Sequence, residues 1–199
     1  MLDPFLLLAP LYLLGVIALL GFVGCFTKPP FVGDTSLPLI VDQTPGGFRN
    51  ESGWYGMTIT VGPEKLTVRA LGRYFLGGNS GTHRVRIVDP AGPTDIALSM
   101  VSLVAGPTDP DDPYIYAYLT SPYPTLEPGG EYHVMSEEVV SGDRFHDQDT
   151  TVRTIAQTIP DAVIKSGVYS DAPGVFVAVG GAEHAYGPVN LRYVLELND

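Results

Sequence analysis

Beyond Phe48 no stretch of this chain keeps an apolar stripe at 3.6-residue spacing over three turns, which leaves long amphipathic helices without a buried face there. What recurs instead is short apolar or alternating runs, broken at frequent intervals by Gly, Pro, Asn and Asp. In Thr58-Ile59-Thr60-Val61 and in Leu66-Thr67-Val68-Arg69-Ala70-Leu71 the apolar positions alternate, as they do in strands with one face in a core. Strands are expected over Trp54 to Val61, Leu66 to Phe75, His83 to Asp89, Ile96 to Val104, Tyr114 to Thr120 and Glu131 to Val139. Four more are expected over Thr150 to Thr158, Val163 to Tyr169, Phe176 to Val179 and Val189 to Leu197. Gly77-Gly78-Asn79-Ser80-Gly81 reads as a hairpin connection, because its glycines and asparagine tolerate positive φ. So many strands overfill one open twisted sheet, and two packed sheets in a jelly-roll-like sandwich are the economical arrangement. The fold class expected is all-β, behind one N-terminal transmembrane helix.

That helix is expected from residues 1–27. From Phe5 to Phe26 there is no charged side chain, and at a rise of about 1.5 Å per residue a helix of this length crosses a hydrocarbon core of roughly 30 Å. Three fates compete for the segment: a retained anchor, a cleaved secretory signal, and a lipoprotein signal. Phe22-Val23-Gly24-Cys25 looks like a bacterial lipobox, with Cys25 as the lipidation site, although Phe22 stands where a Leu-like residue is usual. No Lys or Arg precedes the apolar run, whereas a signal peptide has a basic start. The nearest basic residue, Lys28, lies on the C-terminal side and biases the domain weakly towards the cytoplasm. Residues 28–47, rich in Pro, Gly and Thr, read as a linker, and 48–199 as one β-sandwich domain.

Acidic residues outnumber basic ones by 22 to 11, giving a net charge of −11 that repels phosphate backbones and excludes nucleic acid as an expected partner. Cys25 is the only cysteine, so the domain beyond it holds no disulfide and no thiolate cluster for zinc or iron–sulfur chemistry. His83, His133, His146 and His184 lack the paired spacing of a zinc site. There is no G-x-S-x-G elbow, P-loop or dinucleotide fingerprint. Glu137 and Glu138 are adjacent, so in a strand they point to opposite faces and cannot act as a pair. A noncatalytic protein is expected.

Two clusters remain as candidate sites. Asp143, Asp147 and Asp149 crowd one loop with His146, and calcium, which takes six to eight oxygen ligands, is the cofactor such a loop could hold. Asp109, Asp111 and Asp112 form a second acidic loop. The candidate ligand-binding residues are Tyr114, Tyr116 and Tyr118, which share one face of a strand while Ile115, Ala117 and Leu119 share the other. If the aliphatic face enters the core, the tyrosines form an outward ladder able to stack on sugar rings or a protein; if the tyrosines enter, they are core filling. Trp54 is expected in the core.

Several segments together carry a resemblance: Trp54-Tyr55-Gly56-Met57, Leu71-Gly72-Arg73-Tyr74, Gly78-Asn79-Ser80-Gly81-Thr82-His83, Tyr132-His133-Val134-Met135-Ser136-Glu137-Glu138, and Gly142-Asp143. Over roughly Phe48 to Tyr193 the chain resembles a widespread group of bacterial exported β-sandwich modules of unknown function, which look like accessory modules of surface proteins and carbohydrate-active enzymes. The resemblance implies a noncatalytic domain in the periplasm or outside the cell. The partners then expected are the lipid bilayer, through the N-terminal helix, and other membrane or surface proteins. Glycans or surface polymers are the alternative.

Overall fold

The computed structural model describes residues 35–196, apart from positions 93, 109–111, 141, 156 and 159. The expected membrane segment with Cys25, and Asp109 and Asp111 of the second acidic loop, lie outside the described residues. The described residues are 59% strand with no helix, and their sheets are curled. Among them no helix is long and apolar enough to cross a membrane.

In chain order the strands begin with β1 (Leu37–Pro38), β2 (Ile40–Thr44), β3 (Phe48–Arg49), β4 (Gly53–Val61), β5 (Lys65–Tyr74) and β6 (Thr82–Asp89). They continue with β7 (Thr94–Asp95), β8 (Val101–Val104), β9 (Tyr114–Tyr118), β10 (Thr125–Leu126), β11 (Glu131–Glu138) and β12 (Phe145–His146). The last are β13 (Thr150–Thr154), β14 (Ala162–Ala172), β15 (Val175–Val179), β16 (His184–Ala185) and β17 (Val189–Glu196). One main sheet runs β1-β17-β5-β10, with β9 also on β5; the other runs β15-β14-β4-β11-β6-β7, with β8 also on β6. Two small sheets, β12-β3 and β16-β13-β2, complete the pairing.

Both main sheets contribute to one core. Met57, Ile59 and Val61 of β4, Val85 and Ile87 of β6 and Val134 of β11 meet Leu66, Val68 and Leu71 of β5 and Leu191 and Tyr193 of β17. Their burial is the main stabilising term, since each fully buried aliphatic side chain contributes about 1.5–3 kcal/mol relative to exposure.

Three expectations need correction. The linker read over 28–47 is too long: the compact unit begins at Thr35, with β1 paired to β17 and β2 paired to β13. These strands are short and proline-bounded and lack sustained alternation, so their pairing is set by distant partners and not by local pattern. The glycine-rich segment 77–81 is not a hairpin turn, because β5 and β6 belong to different sheets. It arches between them, with Gly78 at φ 91°. The run Ile96 to Val104 is strand only from Val101, since Leu98 takes φ 62° and the Ser99 hydroxyl, 2.7 Å from the Ile96 carbonyl, closes a turn there.

A bulge in β5 matters for everything below. Ala70 pairs with Arg192 and Val68 with Tyr193, which leaves Arg69 as the extra residue. The inward set therefore switches from Leu66 and Val68 to Leu71 and Arg73, and Gly72 and Tyr74 turn outward.

Candidate functional site

β9 lies beside β5 in the register Arg73↔Ile115, Gly72↔Tyr116 and Tyr74↔Tyr114. Its aliphatic side faces the core: Leu119 is buried there, and Ile115 and Ala117 pack against it. Tyr114, Tyr116 and Tyr118 therefore lie on the outer face, yet they do not form an open ladder. Tyr114 is buried and the other two are half-buried: Gln43 of β2, in the segment read as linker, lies against Tyr114, and Asn190 and Arg192 of β17 lie against Tyr116. The Tyr114 hydroxyl donates to Gln43 Oε1 at 2.8 Å. Tyr116 lies over Gly72, where an added Cβ would come within 2.6 Å of its ring.

Asn190 fixes this second layer. Fully buried on β17, it accepts from the Ile40 amide at 2.9 Å through Oδ1 and donates through Nδ2 to the Ile40 carbonyl and the Tyr116 hydroxyl, each at 2.9 Å. Burial, aided by Tyr116 and Asp112, pushes the Tyr114 phenol well above its ordinary range, so it remains a hydrogen-bond donor. What stays open beside the tyrosines is a cleft of about 360 Å³ lined by Ile40, Gln43, Pro45, Tyr74, Pro113 and Tyr114 among others. It offers two aromatic walls and amide and carboxylate groups at the rim, from Gln43, Asp42 and Asp112.

The three aspartates of the candidate calcium loop do not share a site. Asp143 is buried and accepts from the amides of Ser80 and Gly81, both at 2.8 Å. Asp147 accepts from Arg49 Nε at 2.6 Å, and Asp149 accepts from the Gly47 amide at 3.0 Å. Among the described residues no three His, Cys, Asp or Glu side chains gather as a metal site requires. His146 is buried beside Phe48 and Tyr74, and burial lowers its pKa.

Asp143 instead belongs to an ionic network across one end of the core. Arg73 Nε and Nη2 donate to Glu138 Oε1 and Oε2 at 3.1 and 2.7 Å, and both side chains are fully buried. Ser136 Oγ donates to Glu138 Oε1 at 2.7 Å. His83 sits between two carboxylates, with Nδ1 3.1 Å from Glu138 and Nε2 3.2 Å from Asp143. Nδ1 also lies 2.9 Å from the Glu137 carbonyl. Burial alone pushes His83 down, but the hydrogen bond and charge of Glu138 more than offset it against the opposing charge of Arg73, and the pKa is raised. Burial likewise pushes Glu138 up, while His83 and Arg73 hold it below its ordinary value. With His83 protonated, two cations meet two anions.

The outer face of the larger sheet carries a different polar layer. As the adjacency of the two glutamates requires, Glu137 points away from Glu138 and is forked by Arg84 at 2.5 and 2.6 Å. Trp54, expected in the core, lies half-buried on this outer face with the Arg86 guanidinium 3.8 Å from its ring centroid. Trp54, Arg86, Glu137, Ser170, Asp171 and Phe176 line a second cleft of about 490 Å³.

In the sequence His83 and Asp143 stand out separately, and Arg73 carries no signal of its own. Arg73 is the second arginine of its strand, after Arg69; strict alternation from Leu66 puts both outside, and only the bulge at Arg69 turns Arg73 in. No protein-family model matches the sequence, and no curated protein matches it either.

Proposed function

We propose that this protein is a noncatalytic, jelly-roll-like β-sandwich, held at a bacterial membrane by its apolar N-terminal segment, that works outside the cytoplasm by contact. It is a structural or interaction subunit of a membrane or cell-surface assembly. The observation that carries this reading is the fate of the acid–histidine–acid constellation formed among the described residues by His83, Glu138 and Asp143. His83, Glu138 and Asp143 are 4%, 1% and 8% exposed, and they are engaged with one another, with Arg73 and with loop amides. A general acid or base must reach its substrate. This set instead holds two sheets and two loops together.

The test is purification of the full chain from its native membrane in mild detergent. Copurification with membrane proteins in fixed stoichiometry is expected, and a chain that fractionates alone in the aqueous phase would contradict it. Intact mass decides the form of the tether: a mass starting at Met1 means a retained span, and a lipidated species starting at Cys25 means a lipoprotein.

A second reading, binding of glycans or surface polymers, is favoured by the tyrosine cleft, where Tyr74 and Tyr114 stand edge to face at 5.7 Å beside the Gln43 amide. On a glycan array this reading requires saturable binding that Tyr74→Ala abolishes.

A further inference from the structure

Strand β15 closes one end of the seven-stranded sheet, and among the described residues only β14 pairs with it. Its sequence is Val175-Phe176-Val177-Ala178-Val179, without charge or proline, and Val175 is 51% exposed. Edge strands of soluble domains are ordinarily blunted by lysine, proline or a bulge, because a free row of amides and carbonyls recruits another strand. Here the irregularity falls in β14, between Tyr169 and Ala172, and β15 itself runs uninterrupted.

The strand is also self-complementary. Turned antiparallel about Val177, it sets Val175 opposite Val179, the large Phe176 opposite the small Ala178, and Val177 opposite itself. Gly174 and Gly180, at φ 74° and 69°, flank it symmetrically in left-handed conformations. The chain leaves the strand direction at both glycines, before Asp171 and Glu183, which the same register would bring face to face. We propose that two copies of this chain pair antiparallel through β15 about a two-fold axis at Val177, joining their larger sheets into one. The pairing is isologous, since each copy offers the same edge. It stands on the edge strand itself and is independent of the tether and of what the assembly docks on.

Two like-charged chains at −11 each repel, so added salt favours the pair. In an antiparallel pair, residues opposite each other have Cα atoms about 4.5 or 5.5 Å apart, both within the reach of a disulfide. The experiment uses the full chain in detergent with Cys25→Ser, so that any disulfide arises at the introduced cysteine. Val177→Cys is expected to give a covalent dimer under mild oxidation, and Val163→Cys, exposed on β14, is not. By sedimentation, a concentration-dependent dimer strengthened by salt is expected, and Ala178→Lys is expected to weaken it about tenfold or more by burying two lysines at the junction. A chain that stays monomeric, or a dimer that keeps its affinity in Ala178→Lys, overturns the proposal. If Ala178→Lys does not fold, the cysteine pair decides: equal crosslinking at 177 and 163, or none at 177, rejects it.

Discussion

Arg73 on β5 reaches across the interior and forks onto both carboxylate oxygens of Glu138 on β11, and neither side chain is exposed. One charge comes from each main sheet, so the pair sets how the sheets meet at that end of the core. Removing one partner of a buried pair strands the other, at a cost of about 3–5 kcal/mol, whereas replacing both with apolar groups is often neutral. Arg73→Ala is therefore expected to lower stability by about 3–5 kcal/mol in urea unfolding. The double variant Arg73→Met/Glu138→Leu is expected to lose less than Arg73→Ala alone. A double variant that loses the sum of both single changes would show that the ions themselves, and not the filled volume, hold the sheets.

His83 gives the network a pH dependence of definite sign. Its folded pKa is raised above the ordinary 6.5, so its contribution is complete below that value and is lost as pH rises through the folded pKa. Glu138 and Asp143 are lowered, so theirs is complete above the ordinary 4.5 and 3.8 and is lost as pH falls through the folded values. The contribution of this network is expected to be greatest between about pH 5 and 6.5 and to decline on the alkaline side, while His133 and His146, whose pKa values burial lowers, act with the opposite sign and lose stability as pH falls below the ordinary 6.5. His83→Gln is expected to be less stable at pH 6 and to lack that alkaline decline when urea midpoints are compared up to pH 9. An unchanged alkaline limb in the variant would assign it to another group.

The same β5 residues show what was legible beforehand. The long strands announce themselves by alternation, and every expected run contains a strand; the core between the two main sheets follows from Ile59, Val61, Leu66, Val68, Val134 and Leu191. β2 is invisible in the sequence because its pairing partner is the distant β13 and its first residue, Ile40, is held by Asn190, 150 residues away. Arg73 is hidden because one extra residue, Arg69, inverts the parity of the strand after it. The common face of the β9 tyrosines follows from alternation, but Tyr114 is met by Gln43 of β2 and Tyr116 by Asn190 and Arg192 of β17, so their exposure is not legible locally. Asp143, Asp147 and Asp149 cluster in sequence but are spent on different partners: Asp143 takes the amides of Ser80 and Gly81, whereas Asp147 and Asp149 take Arg49 and the Gly47 amide.

Close backbone approach makes two glycines unequal. A Cβ on Gly56 would lie 1.9 Å from the Val134 carbonyl oxygen, inside a strand paired on both sides. A Cβ on Gly72 would first meet the ring of Tyr116, at 2.6 Å, and a ring on the outer face can tilt. Gly56→Ala is expected to prevent folding or cost more than about 3 kcal/mol, and Gly72→Ala about 1–3 kcal/mol, the range for overpacking. Thermal melting of the two variants checks the order, and equal losses would mean that Tyr116 is as fixed as backbone.

Asn190 is the node on which the second layer depends. Its amide satisfies the Ile40 amide and carbonyl and the Tyr116 hydroxyl at once, and its own oxygen takes the Leu191 amide at 2.8 Å as well. Asn190→Ala leaves several buried polar groups unsatisfied, each worth about 1–3 kcal/mol, and relaxation with water recovers part of that. A global loss of about 2–4 kcal/mol is expected. The loss is also expected to be uneven: hydrogen exchange should accelerate most across Ile40–Thr44 and at Tyr116, while β4 and β11, in the other sheet, lose no more protection than the global decrement. With β2 loosened, the cleft between Gln43, Tyr74 and Tyr114 loses one wall, so any sugar binding there should fall together with the protection of β2. Protection lost uniformly over the whole domain would instead make Asn190 a core residue like any other.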